Sequence, residues 1–298
     1  MTHAKKDQIR ALLKSIETGD PGPIAVVNEE KYIQHNPQTH EGSEGLAALF
    51  QRLSKTSPRV NIVRAFEDGD FVFAHAEYDF ASRKIGFEVF RFEGGRAVEH
   101  WDNIQERQGP NRAGRSMVDG PTEAADHDLT ENNRAFVRSF VETVLVDGQL
   151  NRLTDFVDAD AFAEHNPRGA DGVAALRSAL AASDDGRRQV AYRRLHRVPA
   201  EGNFVLSVSE GDFGGVHSAF YDLFRVAGGK VVEHWDTTEK IAPPERVEER
   251  QRQVLRPEPG AYSSPHDLRA GMTHTAFPMN RTCGRFTPSR FCSVAALG

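Results

Sequence analysis

Residues 98–105 read VEHWDNIQ, and 134 positions later residues 232–239 read VEHWDTTE. Both tryptophans of the chain lie in these two copies, each bracketed by a histidine and an aspartate. The residues around each indole alternate with the period of two expected of a strand that presents different side chains to its two faces. A strand written twice makes internal repetition the first question, because self-similarity at a fixed offset decides the architecture.

Working outward from these copies, two more landmarks recur. QHNP at 34–37 returns as EHNP at 164–167, an offset of 130, and FVFAHAEYDF at 71–80 returns as FVLSVSEGDF at 204–213, an offset of 133. The VEHWD copies themselves belong to longer matches, FRFEGGRAVEHWD at 90–102 and FRVAGGKVVEHWD at 224–236. The drift from 130 to 134 places small loop insertions between the copies, as in duplicated domains rather than short solenoid units. The expected organisation is a first domain at 1–108, a Gly- and Pro-rich linker at 109–127, a second domain at 128–242, and an irregular or disordered Pro/Arg/Ser-rich tail at 243–298.

Within a copy, helical periodicity comes first and strands follow. Ile9 to Ile16 and the stretch SEGLAALFQRL at 43–53 have one apolar face each, as do Phe136, Phe140, Val144 and Leu145 in the second copy. Four strand-like runs then follow in the first copy, the first two joined by an Asp-Gly and the last two by a Gly-Gly hairpin signal. Helices segregated on one face of an antiparallel meander predict an α+β domain. If EGG at 93–95 is a three-residue loop, Phe92 opposes Arg96, Phe90 opposes Val98 and Glu88 opposes His100. Glu88, Phe90, Val98, His100 and Asp102 then share one face, with Arg91, Glu99 and Trp101 on the other. A two-residue Gly-Gly turn shifts the pairing by one.

Composition narrows the function. With 298 residues, 39% apolar and 27% charged, the chain is globular, and a net charge of −6 with interspersed signs supplies no basic stripe for nucleic acid. Neither a leader-like apolar segment nor a membrane-length apolar run is present, so a cytoplasmic protein is expected. Cys283 and Cys292 both fall in the tail, which leaves the repeats without a disulfide or thiolate metal site. Two carboxylates and an imidazole on an aromatic-lined face suit general acid/base work, since partial burial moves carboxyl groups toward neutrality. At a sheet margin the same residues also serve as ordinary hydrogen-bonding groups. His35 has a counterpart in His165, whereas His75 aligns with Val208. Metal-assisted chemistry by His35, His75 and Asp102 fits in ligand type, but no local spacing supports it.

YIQHNP, EDGDFVFAH and FEVFRFEGGRAVEHWDNIQ in the first copy, with EHNP and FYDLFRVAGGKVVEHWD in the second, resemble the SnoaL-like branch of the nuclear-transport-factor-2-like superfamily, related to small polyketide cyclases. The resemblance implies two tandem cone-shaped α+β barrels, each a curved antiparallel sheet wrapped around helices and enclosing an apolar pocket. It places Glu88 and Asp222 where ketosteroid isomerase has an acid that polarises a bound oxygen, a carboxyl kept protonated at neutral pH by its apolar site. It makes Asp102 and Asp236 counterparts of the cyclases' acid/base aspartate. The expected catalytic residues are thus Asp102, His75, His35 and Glu88. The expected ligand-binding residues are Tyr32, Phe73, Phe90, His100, His165, Asp222, His234 and Asp236. No metal and no cofactor are expected. The implied activity is acid/base chemistry, aldol cyclisation or isomerisation, on an apolar carbonyl-containing substrate, and the alternative is a non-catalytic binding module with paired hydrophobic pockets. The expected partner is a small apolar or aromatic molecule. The repeats are expected to pair as an intramolecular pseudo-dimer with Trp101 and Trp235 near the sheet contact, further homo-oligomerisation being left open.

Overall fold

A computed structural model of the chain describes residues 4–36, 42–182 and 186–242; the expected irregular tail at 243–298 lies outside the described residues. The first sheet is preceded by helix α1 (Lys5–Thr18), whose Ile9, Leu12, Leu13 and Ile16 are buried at helical spacing, and α1 ends on Gly19 in the left-handed conformation, φ 72°. Strand β1 (Ile33–Gln34), helix α2 (Gly42–Leu53) and strands β2 (Arg59–Asp68), β3 (Phe71–Asp79), β4 (Arg83–Glu93) and β5 (Arg96–Glu106) follow. The sheet order is β1-β5-β4-β3-β2, antiparallel except that β1 runs parallel to β5.

The second half repeats this plan. Helix α3 (Thr130–Phe140) runs on into a π-helical turn, Val141–Val146, and is followed by α4 (Leu153–Phe156), β6 (Ala163–Glu164), α5 (Val173–Leu180), β7 (Val190–Arg197), β8 (Ala200–Glu201), β9 (Phe204–Phe213), β10 (Val216–Ala227) and β11 (Lys230–Lys240). Its sheet order is β6-β11-β10-β9-β7, with β8 on β9. The fold class is therefore α+β with two sheets. No helix among the described residues is long and apolar enough to cross a membrane.

The hairpin register differs from the expected one. Glu93 pairs with Arg96, so the turn is the two residues Gly94 and Gly95, both at positive φ (58° and 80°). Only glycine takes two successive positive φ values without a Cβ penalty, and such turns match the strand twist. A bulge between Arg91 and Phe92 then shifts the register, and Phe90 pairs with His100 and Glu88 with Asp102. Two displacements of one residue restore the parity. Glu88, Phe90, His100 and Asp102 therefore do share a face, by a different route from the three-residue loop.

Each domain has its own core under its helices, and a third apolar layer contains Phe66, Phe73, Phe87, Val89 and Trp101 of the first sheet with Phe204, Leu206, Val208, Tyr221, Leu223 and Trp235 of the second. The sheets are thus in back-to-back contact. Hydrogen bonds stitch their margins: Asn103 Nδ2 donates to the Ala219 carbonyl at 3.1 Å, and Thr237 Oγ1 to the Asn103 carbonyl at 3.2 Å. The segment between the domains is irregular but docked. Asn111 Nδ2 donates to the Glu164 carbonyl, and the carbonyls of Val118 and Asp119 accept from Arg64.

Candidate functional site

The residues of HNP and HWD sort by parity into two groups on opposite faces of the sheet. Because β1 lies beside β5, with Gln34 opposite His100, Gln34 and Asn36 reach the helix-covered face while His35 between them points to the other. There His35 stacks on Trp101 with ring centroids 4.7 Å apart, and its Nε2 meets Glu99 Oε1 at 3.0 Å, Glu99 being held in turn by Arg91 at 2.7 Å. His165, Trp235, Glu233 and Arg225 repeat the arrangement, with a 4.6 Å stack and bonds of 2.9 and 2.7 Å. The alternate residues of both motifs thus have different employment, packing on one face and polar chemistry on the other.

This parity corrects four expected site residues. His35 and His165 belong to the back-face stacks rather than to a pocket. Phe73 and His75 also point to the back of β3, opposite Val89 and Phe87. His75 stacks on Phe87 at 4.4 Å, neither ring nitrogen has a hydrogen-bond partner among the described residues, and burial, with Arg64 and His165 nearby, holds it well below the ordinary imidazole range. A neutral imidazole sealed in an apolar layer cannot shuttle protons to a pocket on the other side of the sheet.

On the helix-covered face lies a cavity of about 310 Å³, within the size range of small-molecule sites. Leu12, Ile16, Leu46, Phe50 and Phe90 supply apolar wall, and Tyr32, Tyr78, Glu88, His100 and Asp102 supply polar groups. Tyr78 Oη donates to Glu88 Oε1 at 2.5 Å, and His100 Nε2 lies 2.6 Å from Glu88 Oε2. Gln34 Oε1 accepts the Asn36 backbone N–H, which identifies it as the carbonyl oxygen, so His100 Nδ1, 3.0 Å away, carries a proton toward it. One proton then bridges Nε2 and Glu88. His100 also stacks on Phe90 at 4.1 Å, which fixes the ring plane.

Asp102 stands beside this network without an ion-pair partner among the described residues. Its Oδ2 accepts from Asn36 Nδ2 at 2.7 Å. Burial, reinforced by the Glu88 charge, raises Asp102 from 3.8 to about 6. Burial and the same two carboxylates keep Tyr32 and Tyr78 firmly protonated. The Tyr32 hydroxyl, in a side chain only 5% exposed, has no hydrogen-bond partner among the described residues. Glu88, His100 and Asp102 each offer a ligand atom within 4.8 Å of the others, but both Glu88 oxygens and both His100 nitrogens are already engaged.

The second cavity is larger, about 1100 Å³, and is lined by Glu164, Asn166, Tyr192, Phe224, His234 and Asp236 among others. Asn166 Nδ2 donates to both Asp236 oxygens at 2.9 and 2.7 Å, and burial raises Asp236 to about 6. The expected ligand-binding Asp222 sits one layer below, 1% exposed, bonded to Tyr192 Oη at 2.8 Å and His234 Nε2 at 3.1 Å. The phenol has changed strand. Gly211 stands where Tyr78 would align, its ideal Cβ would lie 2.0 Å from the Ala191 carbonyl oxygen, and Tyr192 of the adjacent strand reaches the acid instead.

Gln34 is replaced by Glu164, whose carboxylate meets His234 Nδ1 at 2.9 Å. Burial pushes His234 down, but Glu164 and Asp222 outweigh it and hold the imidazole well above 6.5. A raised folded-state pKa contributes stability that is fully present below the unfolded value and lost as pH rises through the folded one. Glu164→Gln, which copies the first domain, is expected to bring His234 back toward 6.5 and to narrow that pH window. An NMR titration of the imidazole checks this, and an unmoved midpoint would discard Glu164 as its cause.

Sequence reading missed Gln34, Asn36, Glu164, Asn166, Tyr192 and Glu239. The HNP repeat did contain a signal for the asparagines, since residues flanking a back-facing histidine must face forward. Tyr192 and Glu239 had none: the first substitutes for a residue on another strand, and the second, from β11, lines the first domain's cavity.

Residues 9–100, in the first half of the chain, match the SnoaL-like domain family. Comparison with proteins of curated function gives no match. Similar solved structures include TsrD from Streptomyces laurentii, 20% identical over 35% of this chain and 91% of that one, TM-score 0.31. IdmH from Streptomyces antibioticus, described as a candidate polyketide cyclase, is 16% identical over 35% of this chain and 93% of its own, TM-score 0.31. An LEH-like epoxide hydrolase from M. tuberculosis is 18% identical over 34% and 82%, TM-score 0.30.

Proposed function

We propose that the first domain carries out cofactor-free acid/base chemistry on an apolar carbonyl-containing substrate, of the kind used in isomerisation or aldol cyclisation. The observation that carries this reading is Asp102: a carboxylate raised to about 6, in a cavity with apolar walls, held by a neutral amide instead of a cation. A base with such a pKa is ionised at neutral pH yet retains proton affinity, the compromise general-base catalysis requires. Asp102 takes a proton from the carbon next to the carbonyl. The Tyr32 hydroxyl, without a hydrogen-bond partner among the described residues, supplies a donor for the oxygen on which charge develops. Glu88, Tyr78 and His100 form the polar floor and hold one another in place.

The reading is tested by dissolving the protein in D₂O with 2-tetralone, a bicyclic ketone, and following loss of its α-proton signals by NMR. Exchange above the buffer rate is expected, rising as pH passes through about 6 because the base must be ionised. Absence of catalysed exchange throughout the pH range would leave the domain a binding module.

A further inference from the structure

The cavity of the first domain is completed by a residue of the second. Glu239, near the end of β11, lines it together with Asp102. Its Oε2 accepts the backbone N–H of Ile104 on β5 at 2.9 Å. At the aligned position of the first domain stands Gln105, whose Oε1 accepts the backbone N–H of Thr238 at 2.9 Å. The two strand ends thus exchange equivalent hydrogen bonds, one through an amide and one through a carboxylate. Since the amide does the job equally well, the bond to Ile104 does not require an ionisable group. What the carboxylate adds is a second oxygen and a proton, both at the cavity.

We propose that Glu239 is the acid of the first site, contributed by the second repeat and working opposite Asp102, so that the reactive site is a composite of both halves of the chain. This rests on the acid/base reading above and adds the missing proton donor to it. As Asp102 breaks the α-C–H bond and takes the proton, the C–H electron pair forms the C=C bond, and the carbonyl π pair closes onto oxygen. That oxygen takes the proton of the Glu239 carboxyl, giving a neutral enol and leaving Glu239 ionised. Return of the two protons completes exchange or isomerisation, with nothing oxidised or consumed.

Three features agree with this role. Neither Asp102 nor Glu239 has an Arg, Lys or His within ion-pair distance among the described residues, in contrast to Glu99 and Glu233 on the back face. Burial and the Asp102 charge raise Glu239 to about 7, above Asp102 at about 6, so between those values the state with Glu239 protonated and Asp102 ionised is the preferred one. The buried Tyr32 hydroxyl of the same cavity lacks a partner among the described residues, which points to an oxygen-bearing ligand there. The other charged or titratable groups lining this cavity among the described residues are Glu88 and Lys84 on β4, His100 on β5, Tyr78 on β3, Tyr32, and Arg52 at the end of α2; of these Glu88 raises Glu239 and Lys84 lowers it.

The test compares wild type, Glu239→Gln, Glu239→Asp and Asp102→Asn in the 2-tetralone exchange assay across pH. Wild-type exchange should rise through about 6 and fall above about 7. Glu239→Gln keeps the bond to Ile104, so its melting temperature should match wild type below about pH 4.5 and exceed it as pH rises toward about 7, because the amide escapes the cost of ionising a buried carboxyl. Its maximal rate should drop by roughly 10²-fold and its alkaline limb should vanish. Glu239→Asp, which keeps a carboxyl, should restore the limb. In parallel, 2-naphthol, a planar mimic of the enol, should bind Glu239→Leu, which has no hydrogen-bonding group, about fivefold more weakly than wild type, as for loss of one hydrogen bond. Unchanged rate and limb in Glu239→Gln, with exchange abolished in Asp102→Asn, would overturn the role of Glu239 and leave the Asp102 reading intact. If wild type catalyses no exchange, the acid/base reading fails by itself; unchanged 2-naphthol affinity in a folded Glu239→Leu protein would then also remove Glu239 from the site.

Discussion

Replacing Asp102 by asparagine is expected to lower α-proton exchange by ~10²–10⁴-fold, the usual contribution of a positioned general base. The change is nearly isosteric, and the new side-chain oxygen can still accept from Asn36 Nδ2, which now bonds Asp102 at 2.7 Å. Shape and anchoring survive while the titrating group is lost, so the rising limb near pH 6 should disappear with the rate. Stability should move the other way. Asp102 is raised from 3.8 to about 6 mainly by burial, so the folded state binds its proton more tightly than the unfolded chain. Its contribution to stability is complete below about 3.8 and is lost as pH rises through about 6. The asparagine variant escapes that loss, and its melting temperature should overtake wild type across this interval. A variant that is slower and also less stable at neutral pH would point to a structural role for Asp102. Asp236→Asn is expected to slow exchange much less: its cavity is about 1100 Å³ against 310 Å³, and the first domain offers Gln105, not a carboxyl, at the position equivalent to Glu239.

The α+β plan was legible because it rests on short-range periodicity repeated along the chain. Alternation around Glu88, Phe90, His100 and Asp102 gave the correct common face although the assumed turn was wrong; the bulge after Arg91 offset the shorter Gly94-Gly95 loop. A period-two pattern reports faces well and register poorly, since a turn and a bulge can compensate each other without altering which residues share a side. The histidines misled for a related reason. Chemical reactivity drew attention to His35 and His75, whereas parity along β1 and β3 sends both to the back, where imidazole serves as a flat partner for Trp101 and Phe87. The less reactive Asn36, at the forward-facing position, holds the carboxylate instead. Glu239 was beyond such reasoning, because its part in the first cavity depends on how the ends of β5 and β11 meet, a relation between positions 135 apart that no periodicity encodes.

Truncating Trp235 to alanine is expected to cost about 3–5 kcal/mol, the range for removing a large aromatic from a packed interior. The indole is 1% exposed and joins three elements at once. His165 stacks on one side at 4.6 Å, the Arg64 guanidinium lies 4.3 Å from its ring centre, and Nε1 donates to the Asp119 carbonyl at 2.9 Å. Arg64 is fully buried and lowered by burial to about 10, so the π face is part of what offsets its desolvation. Loss of the ring leaves a cavity and also an under-compensated cation. Trp101 is equally buried and stacked, but its Nε1 has no acceptor among the described residues. Phenylalanine therefore separates the two sites: Trp235→Phe forfeits a hydrogen bond to the docked inter-domain segment, Trp101→Phe removes an unpaired donor. The first should cost about 1 kcal/mol more than the second. Each phenylalanine variant keeps a single tryptophan, so urea unfolding followed by fluorescence reads one sheet at a time in the same experiment. Equal costs for the two would mean that the indole's bond to Asp119 contributes nothing, and that the inter-domain segment is held against the second domain by its other bonds, those of Asn111 with Glu164, Ser116 with His165 and Arg115 with Asp171 among them.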